Sequence, residues 1–315
     1  MRSHNGRLVT IRTTERFEII GMLFQSESSY KGTDVNEKHI LTDFNTPIVI
    51  HVHGNFGNFY QNKFLWYMSE MYLQNGIDFL SINLSSHDGL AEGYYGVQLK
   101  YVGGGVADYE ASQLDIEAAV QYVQELGYKN VVLQGHSLGC DKIIEFAMNH
   151  EHLFPLILLS PVDSYAVQSN WISPESVEEQ IERIKKGLYP QEDKPWGSAD
   201  LDWLPNQEYG AKGGTQEWTY EIPITKEALL SILEGAAFKY LNVKTGDPFT
   251  LENRTFAYLG KRDGLQMHRH EDWVEFLQHS FTHITFAQDL DADHDIVGVE
   301  AELTERIIKW IHQLK

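Results

Sequence analysis

Val131-Val132-Leu133-Gln134-Gly135-His136-Ser137-Leu138-Gly139 joins an apolar run to a helix-like stretch, Cys140 to Met148. A Gly-x-Ser-x-Gly string placed between a strand and a helix has a chemical meaning that the string alone lacks. A serine that attacks must stand clear of the sheet. The sharp turn that lifts it leaves no room for side chains two residues to either side, where Gly135 and Gly139 stand. The helix opening at Leu138 would turn N–H groups and its positive dipole end toward the oxyanion formed when Ser137 attacks a carbonyl. Such chemistry also needs an acid, a histidine and a second N–H donor from elsewhere in the chain.

Outward from this stretch the chain alternates strands with helices. Ile48 to Gly54 is dense enough in apolar residues for a central strand buried on both faces, and the pattern from Tyr60 to Gln74, closed by Asn75-Gly76, predicts a helix. Phe79 to Leu84 is the next strand, and Ser85 to Gly105 reads as a long polar, glycine-rich loop. Tyr109 to Leu126 carries Leu114, Ala118, Tyr122 and Leu126 on one helical face. Leu156 to Ser160, Thr255 to Gly260 and Ile284 to Ala287 complete the strands, with helices at His268 to Ser280 and Glu300 to Leu314. The first segments, Leu8 to Thr13 and Phe17 to Phe24, suit an antiparallel pair at a sheet edge. The pattern implies an α/β protein with a mostly parallel, doubly wound sheet. Residues 162–250 break the alternation with helices at Pro174 to Gly187 and Lys226 to Leu241 and no comparable strand. They read as an inserted lid between core segments 1–161 and 251–315.

Composition narrows the function. Of 315 residues, 45 are acidic and 25 basic, a formal charge of −20 that repels nucleic acid and anionic membranes and favours neutral or cationic small substrates. Hydrophobic residues at 42% and charged residues at 22% describe a folded globular chain. The single cysteine, Cys140, allows no internal disulfide, and Met1 to Gly6 lacks the apolar segment of a secretory signal, so a cytoplasmic setting is expected. No apolar run approaches the roughly 18 residues of a membrane span.

With these elements in place the chain resembles the α/β-hydrolase superfamily, over nearly its whole length apart from the lid. Beside the Ser137 turn, His53-Gly54-Asn55-Phe56-Gly57 is similar to the superfamily's His-Gly loop after its third strand, which completes the oxyanion hole. The resemblance implies an eight-stranded sheet and a lid after the sixth strand. It assigns the backbone N–H groups of Leu138 and Asn55 as donors, with Phe56 the alternative if the loop is shifted by one. It implies a chain order of serine, acid, histidine, which selects Asp263 in Leu259-Gly260-Lys261-Arg262-Asp263 and His294 in Asp291-Ala292-Asp293-His294-Asp295. Asp163, just beyond the sixth strand, is the competing acid.

Other constellations carry less. His51-x-His53 and His268-x-His270 lack a third ligand of fitting spacing, so no metal is expected, and Gly103-Gly104-Gly105 does not open a helix after a strand as a nucleotide loop would. No cofactor is implied. Cys140 suits a small buried packing position. The lid is rich in aromatic residues, and Trp171, Trp203 and Trp218, with Tyr95 and His136, are candidates for the substrate pocket. These rings would equally serve as the lid's own core.

The expected activity is that of a serine esterase or lactonase acting on a bulky small molecule through an acyl-enzyme. An amidase or thioesterase shares that intermediate. A small-molecule receptor on a hydrolase scaffold, turning over slowly or not at all, is the reading from another class.

Overall fold

A run of residues that is apolar throughout can be buried only where both faces of a strand are covered, and this requirement orders the sheet. The computed structural model describes residues 6–26, 45–169, 175–188, 204, 207–211, 218–235, 239–243 and 249–314. β1 (Arg7–Arg12) and β2 (Glu18–Phe24) form an antiparallel pair at one edge. β3 (Pro47–Val52) leads into α1 (Lys63–Gln74), and β4 (Asp78–Ile82) follows. After α2 (Ala111–Glu125) comes β7 (Asn130–His136), with β5 (Ala91–Tyr95) and β6 (Gln98–Val102) lying earlier as a separate hairpin. α3 (Leu138–Met148), β8 (Leu156–Leu159), α7 (His270–Ser280) with β11 (Leu251–Tyr258) before it and β12 (Phe281–Ala287) after it, and α8 (Glu300–His312) complete the core. The sheet has eight strands in the order β1-β2-β4-β3-β7-β8-β11-β12 and is parallel from β4 to β12.

Successive residues of β3 face opposite sides. Ile48, Ile50 and Val52 join the core under α2, α3 and α7, while Val49 joins Phe64, Met68, Leu303 and Ile307 under α1 and α8. The result is a three-layer α/β sandwich with the β3 and β7 ends adjacent at its centre.

Three features depart from the sequence reading. Within 85–105 lies the β5–β6 hairpin, turned at Gly96 with φ 64°; its Tyr94, Val97 and Leu99 are exposed, so it lacks the buried face that periodicity detects. The second helix expected in the 162–250 segment is α6 (Lys226–Glu234), which is capped by Gly235, short of the expected Leu241. That segment also contains a two-stranded ladder, β9 (Gln207–Ala211) with β10 (Trp218–Ile222), besides α4 (Ser164–Val167) and α5 (Val177–Lys185). Among its described residues, Tyr165, Val177, Ile184, Leu204, Ile224, Ala228, Leu229 and Leu233 form a small apolar cluster of their own. No helix of the described residues is long and apolar enough to cross a membrane.

Candidate active site

The turn between β7 and α3 is held in a conformation that few residues adopt. Ser137 has φ 54° and ψ −127°, a strained geometry for a residue with a side chain. The flanking glycines are there because backbone passes where their side chains would be. A Cβ on Gly135 would run into the Gly139 carbonyl, and one on Gly139 into the Val52 carbonyl of β3. Gly54 is also pressed close, since its Cβ would lie 2.9 Å from the Ser137 Cβ and 3.5 Å from its Oγ. The 53–57 loop and Ser137 therefore touch.

His53 organises that loop. Its Nδ1–H donates to the Gly54 carbonyl at 2.8 Å and its Nε2 accepts from the Leu84 N–H at 3.1 Å, so the ring is neutral in a defined tautomer. Burial first, and then the Lys142 charge, push its pKa well below the ordinary histidine value. Gly57 N–H also donates to the Gly54 carbonyl. In a trans peptide the Asn55 N–H points opposite to that twice-bonded carbonyl, so the His53 contact sets the direction of the Asn55 donor. Leu138 is the first residue of α3, where an N–H has no partner within the helix.

The loops after β11 and β12 are laced together by backbone. Lys261 N–H donates to the Leu290 carbonyl at 3.3 Å and Arg262 N–H to the Ala292 carbonyl at 3.0 Å. This brings Asp263 to His294, whose Nδ1–H donates to Asp263 Oδ2 at 2.9 Å. Asp263 also accepts from the Leu265 N–H at 2.9 Å and from Gln266 Nε2 at 3.5 Å. Burial alone would raise the Asp263 carboxyl, but the His294 charge and these hydrogen bonds outweigh it and hold the group below the usual carboxylate value. For His294 the balance is reversed. Burial would lower its pKa, and the Asp263 charge and hydrogen bond, aided by Asp295 and Asp293, raise it above the ordinary value. With the proton on Nδ1, Nε2 is the nitrogen free to accept one.

Asp163, the alternative acid, lies elsewhere in the network. Its Oδ2 accepts from His268 Nε2 at 2.8 Å, so the structure brings Asp263 and not Asp163 to His294. Of the pocket candidates, His136 is 5% exposed and donates from Nε2 to the His294 carbonyl at 3.0 Å. It therefore holds a neighbouring loop. Tyr95 packs on Phe17 beside the β1–β2 turn, with ring centroids 4.9 Å apart, and has Lys100 Nζ over its ring. This packing places it at the sheet edge. Trp171 and Trp203 lie outside the described residues, and Trp218 is described only as backbone at the start of β10. Cys140 is buried beside the carbonyls of Gly135 and Leu159. Among the described residues no group of three or more His, Cys, Asp or Glu side chains could hold a metal.

Two contributors were invisible in the sequence. Ser160, fully buried with φ 51°, donates from Oγ to the His294 carbonyl at 2.9 Å. The glycine run 103–105 seats neighbouring segments, for a Cβ on Gly104 would meet the Phe56 ring at 2.5 Å and one on Gly105 would strike the Pro223 carbonyl. No local pattern signals either contact.

No family model matches the sequence, and no curated protein matches it. Solved structures do. An esterase of Pyrococcus furiosus is 14% identical, with a TM-score of 0.57 over 99% of this chain and 91% of that one. Est1E of Butyrivibrio proteoclasticus, with ferulic acid bound, is 14% identical, with a TM-score of 0.61 over 97% and 98%. An esterase of Exiguobacterium antarcticum is 16% identical, with a TM-score of 0.54 over 96% and 99%. At these identities the likeness is one of fold, and it agrees with the strand order. The chain has the α/β-hydrolase fold.

Proposed function

We propose that the protein is a serine hydrolase that cleaves a carboxylic ester of a small molecule through an acyl-enzyme. The observation that carries this reading is the 2.9 Å contact of His294 Nδ1 with Asp263, on loops laced beside the strained Ser137 turn. Ser137 Oγ attacks the ester carbonyl while His294 Nε2 takes its proton. The negative oxygen is held by the N–H groups of Leu138 and Asn55, and Asp263 stabilises the imidazolium. His294 then protonates the departing alcohol, and water enters by the same route to release the acid and restore Ser137. The aspartate keeps its negative charge throughout, in accord with its lowered pKa.

Residues 162–250 serve in this reading as a cap that selects the substrate, a bulky ester or lactone. Its placement supports the role. α4 follows β8 directly, and Ser164 Oγ donates to Asp141 Oδ2 at 3.3 Å, one helical turn along α3 from Ser137. The strongly negative net charge favours neutral or cationic substrates. Hydrolysis of p-nitrophenyl acetate and covalent labelling by a fluorophosphonate are expected for the wild type, and both are lost in Ser137→Ala with the fold intact. Activity that survives in Ser137→Ala overturns the reading.

A further inference from the structure

Asp163 is the residue at which the incoming and outgoing ends of the 162–250 segment meet. Its carboxylate is almost fully buried and accepts three N–H donors. Oδ1 takes the Ala166 N–H at 2.8 Å, capping α4 at the incoming end. Oδ2 takes the Val243 N–H at 2.9 Å, eighty residues later on the outgoing end, and His268 Nε2 at 2.8 Å. His268 belongs to the core loop that also carries Asp263. Its ring stacks on Trp273 with centroids 5.8 Å apart, and Trp273 Nε1 donates to the Pro161 carbonyl at 3.2 Å. Gln266 Nε2 donates to the same carbonyl at 3.0 Å and reaches Asp263 Oδ2 at 3.5 Å. One buried side chain thus joins both roots of the segment to the loop that holds the candidate acid.

We propose that Asp163 and His268 form a clasp that fixes the position of the cap over Ser137 and thereby sets which ester sizes are accepted. The inference rests on the esterase reading for its substrate consequence and on geometry alone for the clasp. Three features give the pair this role. The described residues between Tyr165 and Leu233 have an apolar cluster of their own, apart from the main core that Tyr240, Leu241 and Phe249 join, so that part can shift as a body. Other hydrogen bonds of the segment's described residues to the core include Thr225 N–H to the Gly105 carbonyl at 2.7 Å, Tyr109 N–H to Ser231 Oγ at 3.0 Å and Ser164 Oγ to Asp141 Oδ2 at 3.3 Å, each a lone contact. Charge-assisted bonds to a buried carboxylate are stronger than neutral ones, and Asp163 accepts three, so the clasp is the firmest of these attachments. Neither residue contacts Ser137 or His294, which makes both positioning residues.

The test uses the full chain and the variants Asp163→Asn, His268→Ala and His268→Gln, the last keeping an Nε2–H that can reach Asp163. The KM for p-nitrophenyl dodecanoate should rise about tenfold in His268→Ala, while kcat and KM for p-nitrophenyl acetate stay within about twofold of wild type. His268→Gln should restore the long-chain KM. Hydrogen exchange read by mass spectrometry should quicken over 164–169 and 239–243 in His268→Ala and Asp163→Asn, with α3 unchanged. Equal losses on both esters, or unchanged exchange in those segments, overturn the clasp. If Asp163→Asn does not fold, His268→Ala decides, because it leaves the Ala166 and Val243 bonds in place. A wild type inert toward every ester overturns the esterase reading alone, and the exchange measurement still decides the clasp.

Discussion

The imidazole of His136 donates from Nε2 to the backbone carbonyl of His294 at 3.0 Å. The residue before Ser137 thereby holds the loop that carries the proposed base, and Ser160 Oγ grips the same carbonyl from the end of β8. Burial, and then repulsion from the His294 charge, lower the His136 pKa to about 4, so the ring stays neutral when His294 takes a proton. A carbonyl shared by two donors pins one peptide, and through it the direction of the imidazole.

Removing these donors should therefore damage rate and not affinity. His136→Ala and Ser160→Ala are each expected to lower kcat for p-nitrophenyl acetate by up to about 100-fold, with KM nearly unchanged. His136→Gln, which keeps an N–H, should recover part of the loss. Steady-state kinetics decide the matter, for a raised KM with normal kcat would return His136 to the pocket wall.

The paired shifts of Asp263 and His294 set a pH dependence. A general base works only when neutral, so kcat/KM should rise with pH as His294 loses its proton. The midpoint should lie above about 6.5, since Asp263 raises the His294 pKa. Asp263→Asn removes the charge and, with the amide oxygen kept on the Leu265 N–H, turns an NH2 donor toward His294 Nδ1. The midpoint should then fall, and kcat should drop by roughly 10⁴-fold because the imidazole loses its tautomer and support. The same midpoint in wild type and variant would show that Asp263 does not govern this histidine.

How much of this was legible in the sequence follows from what each feature depends on. β8 is apolar throughout, β3 and β7 carry the apolar runs Ile48–Ile50 and Val131–Leu133, and burial on both faces is a property that such a run carries by itself. Ser137, Asp263 and His294 could be chosen because each follows a strand end in a parallel sheet, where loops converge. Asp163 follows a strand end too, and what separates it from Asp263 is a tertiary fact, the lacing of 261–262 to 290–292 that brings Asp263 to His294 while Asp163 meets His268. Ser160 and His53 act through contacts with residues on other loops, and the β5–β6 hairpin keeps much of its apolar surface exposed, so none of them had a periodicity to give it away. The glycine run was visible as composition, but its neighbours Phe56 and Pro223 were not.

That run gives the third prediction. A methyl group at Gly104 would meet the Phe56 ring at 2.5 and 2.6 Å, and Phe56, buried with φ 52°, directly follows Asn55. Gly104→Ala should push the ring and with it the Asn55 peptide. The loss of one aligned oxyanion donor is worth about 100-fold or more in kcat. Gly105→Ala strikes the Pro223 carbonyl instead, on the 162–250 segment, and should alter the acceptance of large esters more than the turnover of acetate. Identical kinetic defects in the two variants would refute this division of labour.

Ser137 offers a test that separates stability from activity. With φ 54° and ψ −127°, the backbone of any residue with a Cβ is strained there, while glycine adopts positive φ freely. Ser137→Ala and Ser137→Gly both lack the hydroxyl, so both should be inactive. They should differ in urea denaturation. Glycine relieves strain of about 1–3 kcal/mol at such a position but adds freedom to the unfolded chain worth about 0.4–1 kcal/mol. Ser137→Gly should accordingly be the more stable of the two by about 1 kcal/mol, despite glycine's general disadvantage. If Ser137→Ala proves equal or more stable, the turn stores no strain, and the close packing of Gly135, Gly139 and Gly54 around it would need another reason. A positive difference would mean that the fold gives up stability at the residue proposed as its nucleophile.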